Sequence, residues 1–269
     1  MQTIVKKIED FDFISQNIEK IINNTIGKVL FDFKELNCEY YLSGGYALAL
    51  LIAPRTTGNP LPNFERNPFT PTPLESMLID NNYYQDIDIF FKSELDFWKA
   101  RSVLEKHSHG SSFIYESKNQ STYLINNTKV QIIKYAFGTP DTIMDSFDFV
   151  NCSIFFDKNL NVHTHKNFYK SILQKQLEMN VFKFDKIEDI EEFKYYAEMI
   201  STRIQKYCNR YSWECSPALK RYIQAVVNYC PDITHSKSKV VGSGSSSYLM
   251  TKNENIWEKL TSIGIEIPQ

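Results

Sequence analysis

Residues 83–92, YYQDIDIFFK, place Asp86 and Asp88 one residue apart in a run whose other positions read as a buried strand. Burying an unpaired carboxylate is costly, so two in one strand demand a compensating charge or water. Strand alternation sets both on one face, about 7 Å apart, with Ile87 and Ile89 on the other. Two carboxylates in that arrangement can hold a divalent cation. An edge strand with its polar face in water would carry the same residues without a metal, so the remainder of the chain must discriminate.

At 269 residues, 42% hydrophobic and 14% aromatic, the chain can bury one sizeable core and a second, smaller one. A net charge of -2 excludes a protein that coats nucleic acid by bulk charge, while leaving room for a local basic face. The opening MQTIVKKIEDFDF breaks every apolar run with charge, so no signal peptide is expected, and no stretch approaches the ~18 apolar residues of a membrane span. The expected location is therefore cytoplasmic, with no membrane partner. Cys38, Cys152, Cys208, Cys215 and Cys230 are odd in number and lack a C-x-x-C pair, as suits reduced, packed thiols. The pairs His107/His109 and His163/His165 have no thiolate or acidic cluster beside them and read as structural or surface residues. Abundant Asn, Ile, Lys, Tyr and Phe fit an AT-rich genome, a virus or phage among the sources.

Residues 1–36 carry helical periodicity (Ile8, Phe11, Ile14, Ile18, Ile21, Ile22, Ile26, Val29, Leu30, Phe33), which predicts a leading helix or helix pair. CEYYLSGGYALALLI then predicts a strand ending at Ser43, a turn at Gly44-Gly45 and a helix from Tyr46. Residues 53–84, rich in proline, form a long insertion loop. After the Asp-x-Asp strand come a helix at 93–107 and short strands at SFIYES, STYLINN, KVQIIKYAF and FVNCSIFFD. Beyond residue 165 the pattern turns helical, most clearly in IEDIEEFKYYAEMISTRIQKYCNRY and SPALKRYIQAVVNYC. SKSKVVGSGSSSY, residues 236–248, has linker composition.

A Gly-Gly turn between strand and helix lets the backbone approach a phosphate and presents free N–H groups and a positive dipole end to it. Followed by an Asp-x-Asp strand, it resembles the signature of the nucleotidyltransferase superfamily with the DNA polymerase β-type fold. Two further segments extend the likeness. SFDFVNCSIFFD (146–157) resembles the RRDFTINAL segment of the head domain of tRNA nucleotidyltransferases and bacterial poly(A) polymerases, and RIQKYCNRYSWECSPALKRYI (203–223) resembles the helix-turn-helix that follows the head.

The resemblance implies an α+β fold: a nucleotidyltransferase-type mixed sheet flanked by helices (head domain, 1–165, with insertion 53–84), a smaller helical domain (166–235) and a C-terminal segment (236–269). It further implies a metal-dependent nucleotidyltransferase using Mg²⁺ or Mn²⁺. The acceptor hydroxyl attacks the α-phosphate of an NTP and releases pyrophosphate. Asp86 and Asp88 would be catalytic metal ligands. Ser43, Gly44, Gly45, Arg203, Lys206 and Arg210 would meet the nucleotide, and RNA, with tRNA a candidate, is the expected acceptor.

Departures from the pattern are specific. The strand expected to supply a third carboxylate has Gln131 as the weaker metal ligand, and Asp148 is the candidate catalytic substitute. The arginine that follows the glycines in the tRNA enzymes is missing. GGYALALL is closer to the AbiEii-like toxin nucleotidyltransferases, which would modify tRNA or protein. Arg55 and Arg66 of the insertion could fold over the phosphates. The base-selecting Glu-Asp-x-x-Arg of CCA-adding enzymes is replaced by YAEMI (196–200), so CCA addition is not expected. A catalytically inactive binding or structural module is the reading from a different class, and a protein partner belongs to it.

Overall fold

The computed structural model describes residues 3–7, 14–56, 86–107, 113–126, 128–180 and 190–229. The chain divides into two units, residues 1–146 with 152–166, and 147–151 with 167–269.

In the first unit eight described strands form one mixed sheet: β1 (Thr3–Lys7), β2 (Tyr40–Ser43), β3 (Ile87–Phe91), β4 (Phe113–Glu116), β5 (Gln120–Ile125), β6 (Thr128–Phe137), β7 (Ile154–Asp157) and β8 (Asn161–His165). Their order is β1-β8-β7-β2-β3-β6-β5-β4. Every neighbouring pair is antiparallel except β3 and β6, which run parallel. A parallel pair needs a crossover, and α3 (Glu94–His107) begins it. The other helices of this unit are α1 (Ile14–Glu35), α2 (Gly44–Thr56) and the short α4 (Pro140–Met144).

Alternation along the strands assigns the two sheet faces. Ile87, Ile89 and Phe91 are fully buried and share one face; the Phe91 ring lies 6.3 Å from Phe33 of α1 and 5.9 Å from Phe97 of α3, so those helices cover that side. The other face carries Asp86, Asp88 and Phe90. Phe90 packs edge-on against Phe155 at 5.9 Å and Tyr135 at 6.0 Å. One end of that face is therefore aromatic, and the carboxylates stand beside it.

The structure corrects the reading of the N-terminal stretch. Residues 3–7, TIVKK, are a strand paired antiparallel to β8. Their β-branched residues suit a sheet edge, and pairing with a partner about 160 residues away decides the state over local helical spacing. α1, over Ile14–Glu35, matches that periodicity from Ile14 onward, while Ile8 and Phe11 lie outside the described residues.

The second unit contains α5 (Phe168–Leu173), α6 (Ile190–Tyr211), α7 (Pro217–Tyr229) and a short parallel pair of β9 (Gln176–Leu177) with β10 (Glu214–Cys215). In this unit Tyr207 stacks on Tyr211 at 6.2 Å, and Tyr211 on Trp213 at 4.5 Å. Among the described residues no helix is long and apolar enough to cross a membrane.

Candidate active site

The site is organised by β2 running directly into α2. β2 ends at Ser43, and its next residue, Gly44, has φ +69°, a left-handed conformation that L side chains rarely adopt. A Cβ at residue 44 would overlap Asp88 Oδ2 and lie 3.0 Å from Asp88 Cγ. Glycine is required there twice, by conformation and by the carboxylate packed against its backbone. The first turn of α2 leaves its N–H groups without intrahelical partners. Asp88 thus sits where the helix dipole favours negative charge, and the same turn can present N–H groups to a phosphate.

Ser43 is fully buried and donates its hydroxyl to the Ile154 carbonyl at 2.7 Å, tying β2 to β7. In the sheet, Ser43 pairs with Asp88 and Asp88 with Gln131. Gln131 is buried, and its Nε2 donates to Asp86 Oδ2 at 2.9 Å. Asp86 and Asp88 are both half-buried. The three side chains Asp86, Asp88 and Gln131 therefore share one face on adjacent strands, beside the start of α2.

Among the described residues no group of three or more His, Cys, Asp or Glu is assembled to hold a metal. The donor set at Asp86 and Asp88 is two carboxylates and an amide. Mg²⁺ is commonly held by one or two carboxylates and completed by substrate phosphates and water, so these residues fit a single hard divalent cation shared with a triphosphate. The amide takes one oxygen of Asp86 by hydrogen bonding and adds no charge.

Asp148 belongs to the second unit. It is buried, accepts from Tyr196 Oη at 3.2 Å and is ion-paired with Arg203, whose guanidinium lies 5.9 Å from the Phe149 ring centroid. Burial, and then the Asp148 carboxylate, push the Tyr196 hydroxyl far above its ordinary pKa, so it stays a proton donor. No local pattern signals this pairing, because 55 positions separate Asp148 and Arg203. Lys206 and Arg210 follow on α6, both half-exposed, with Lys206 Nζ 5.7 Å from the Tyr207 ring centroid. Arg66 and the stretch 236–269 lie outside the described residues, as does the side chain of Arg55.

The histidine pairs are taken up structurally. His163 Nε2 is 3.0 Å from Asp157 Oδ2, and His107 Nε2 is 2.7 Å from Asp32 Oδ2. His109 lies outside the described residues.

A family model described as "Gabija anti-defense 2 family protein" matches residues 12–175. The chain belongs to that family. The matched stretch includes β2, the Gly44–Gly45 turn, Asp86, Asp88 and Gln131. Among solved structures, the chain is similar to a Thermotoga maritima CCA-adding enzyme complexed with tRNA, with 13% identity, TM-score 0.52, and coverage of 85% of this chain and 47% of that one. It is also similar to a CCA-adding enzyme in complex with ATP (13%, TM-score 0.57, covering 85% and 46%) and to one with CTP (14%, TM-score 0.53, covering 85% and 46%). At these identities the likeness establishes the nucleotidyltransferase-type fold. This chain spans about half the length of the solved proteins it matches. No curated protein matches it significantly.

Proposed function

We propose that this family member is a nucleotidyltransferase that moves a nucleoside monophosphate from an NTP to a hydroxyl acceptor, RNA first, and that this transfer serves the anti-defence role its family name describes. The observation that carries the reading is the packing of Asp88 against the positive-φ Gly44 at the start of α2, with Asp86 on the same face. A purely structural strand-to-helix turn has no need of a carboxylate pressed into its backbone.

In this reading Asp86 and Asp88 hold Mg²⁺ or Mn²⁺, which when bound supplies positive charge to the triphosphate and lowers the pKa of the attacking hydroxyl. The α2 N-terminus at Gly44 and Gly45 binds the departing pyrophosphate through backbone N–H groups. The acceptor oxygen bonds to the α-phosphorus as the bond from that phosphorus to the bridging oxygen breaks, and the acceptor proton passes to water. Ser43 holds the strand end in place through its bond to Ile154. Lys206 and Arg210 supply a half-exposed basic helix flank of the kind that meets phosphate. Asp148 and Arg203 act as a mutually neutralising structural pair. The GGYAL spelling keeps an AbiEii-like activity on tRNA or protein within the same chemistry. A cytoplasmic location suits a soluble NTP supply.

One observation favours a second reading. Gln131 caps Asp86 with an amide where a third carboxylate is expected, which suits a non-catalytic binding module. Pyrophosphate release separates the two. With each NTP, total RNA and Mg²⁺ or Mn²⁺, the transferase reading expects release by wild type and none by Asp86→Ala/Asp88→Ala. Release by neither protein, with the anti-defence effect intact in both, would establish the binding module.

A further inference from the structure

We propose that Cys208 and Cys215, in the second unit, are a redox-modification site: a peroxide-class oxidant converts this dithiol into an intrachain disulfide that ties the last turn of α6 to β10. The proposal is independent of the transferase reading, since neither cysteine is among the residues assigned to transfer.

Local backbone geometry brings the two thiols together. α6 ends at Tyr211, and Ser212 follows with φ +52°, a left-handed residue that turns the chain back. The Trp213 N–H then donates to the Cys208 carbonyl at 3.1 Å, and the Trp213 ring stacks on Tyr211 at 4.5 Å, closing the turn. Cys215 is anchored on both sides: the Glu214 N–H donates to the Lys175 carbonyl at 2.9 Å, and the Ser216 N–H to the Leu177 carbonyl at 3.0 Å. Its Sγ lies 3.9 Å from Cys208 Sγ, a thiol hydrogen-bond distance. A disulfide needs about 2.05 Å, so the sulfurs have to close by about 2 Å to bond.

The two sulfurs are unequal. Cys215 is 5% exposed, whereas Cys208 is half-exposed. The hydrogen bond from Cys215 outweighs burial and, with the positive charge of Lys220, holds the Cys208 thiol below its ordinary pKa; the same bond and burial push the Cys215 thiol up. Directly after Cys215, the Ser216 hydroxyl accepts from the Leu219 N–H at 3.2 Å and caps α7, whose positive dipole end adds to the field there. An accessible thiolate beside a buried, protonated neighbour is the arrangement in which one sulfur attacks and the other resolves. Cys38 and Cys152 are buried without such a partner thiol, and burial pushes the Cys38 thiol up to about 12.

The chemistry balances. The Cys208 thiolate attacks one peroxide oxygen; the S–O bond forms as the O–O bond breaks, and the departing oxyanion takes a proton. The Cys215 sulfur then attacks the Cys208 sulfenic sulfur, the S–S bond forms as the S–O bond breaks, and the Cys215 proton leaves with the hydroxyl as water. Two thiols lose two electrons and one peroxide gains them.

The test treats the reduced full chain with hydrogen peroxide, blocks remaining thiols by alkylation and digests with trypsin. Cleavage after Lys206, Arg210 and Lys220 puts the cysteines on separate peptides, Tyr207–Arg210 and Tyr211–Lys220, which a disulfide alone would join. The account expects that linked pair from monomeric protein, its loss on treatment with dithiothreitol, and alkylation of Cys208 before oxidation about tenfold faster than that of Cys38 or Cys152. A 1,3-dione probe should trap a sulfenic acid at Cys208 in Cys215→Ser and none at Cys215 in Cys208→Ser; the wild-type mapping stands without either variant. Unlinked peptides after peroxide, linkage of either cysteine to Cys230 or to a second chain, or Cys208 driven to sulfinic acid while Cys215 stays free would overturn the proposal.

Discussion

Asp88 is packed against Gly44 so closely that residue 44 has no room for a side chain: a Cβ there would sit 3.0 Å from Asp88 Cγ and overlap its Oδ2, at a φ of +69°. Gly44→Ala should therefore lose about 2 kcal/mol of stability from the backbone conformation alone, and more from the clash. Gly45, whose φ is not positive, is the control. Urea unfolding of the two variants checks this, and equal stability in both would show that the turn relaxes freely.

The Gln131 amide bonded to Asp86 makes an opposite kind of forecast. Gln131→Glu removes a donor and places a like charge beside Asp86. Without divalent cations it should cost about 1 to 2 kcal/mol, toward the lower end because Asp86 is half-exposed. Mg²⁺ or Mn²⁺ should return that stability and raise Tm more than in wild type. A Tm that ignores the metal would argue against a cation at this place.

In the second unit the Asp148–Arg203 pair is asymmetric, with the Asp148 side chain 3% exposed and that of Arg203 34% exposed. Arg203→Met strands a buried carboxylate and should cost about 3 kcal/mol, whereas Asp148→Asn leaves an arginine that can reach water and should cost less. Denaturant midpoints of the two variants decide the order.

Asp157 gives a pH dependence. Burial raises its pKa, but hydrogen bonds from His163, from the Asn161 side chain and from the backbone of Asn161 and Asn159 outweigh burial and hold it below the ordinary carboxylate value. A depressed folded-state pKa contributes stability above the unfolded value of about 3.9, and the contribution is lost as pH falls through the folded one. Asp157→Asn should be less stable than wild type at neutral pH, and the gap should narrow below about pH 4. A gap that is constant with pH would contradict this assignment.

What the sequence made legible is the part carried by spacing. The strand, Gly-Gly turn and helix at 40–56, the Asp-x-Asp strand and the two long helices of the second unit all follow from local patterns. The mixed-sheet fold class, which the family resemblance implies, is shared by the solved structures. β8 went unread because NVHTH lacks the apolar alternation of a half-buried strand, and β1 because its partner lies far along the chain. The contact of Asp88 with Gly44 and the capture of Asp148 by Arg203 depend on which elements become neighbours, and no local pattern in one chain encodes that.

The central claim is tested most directly by incubating the chain with each α-labelled NTP, Mg²⁺ or Mn²⁺, and total RNA or total protein, then counting label in acid-insoluble product. The account predicts label in RNA with wild type and none with Asp86→Ala/Asp88→Ala. Equal label in both, or none with wild type under any nucleotide and metal, would contradict it.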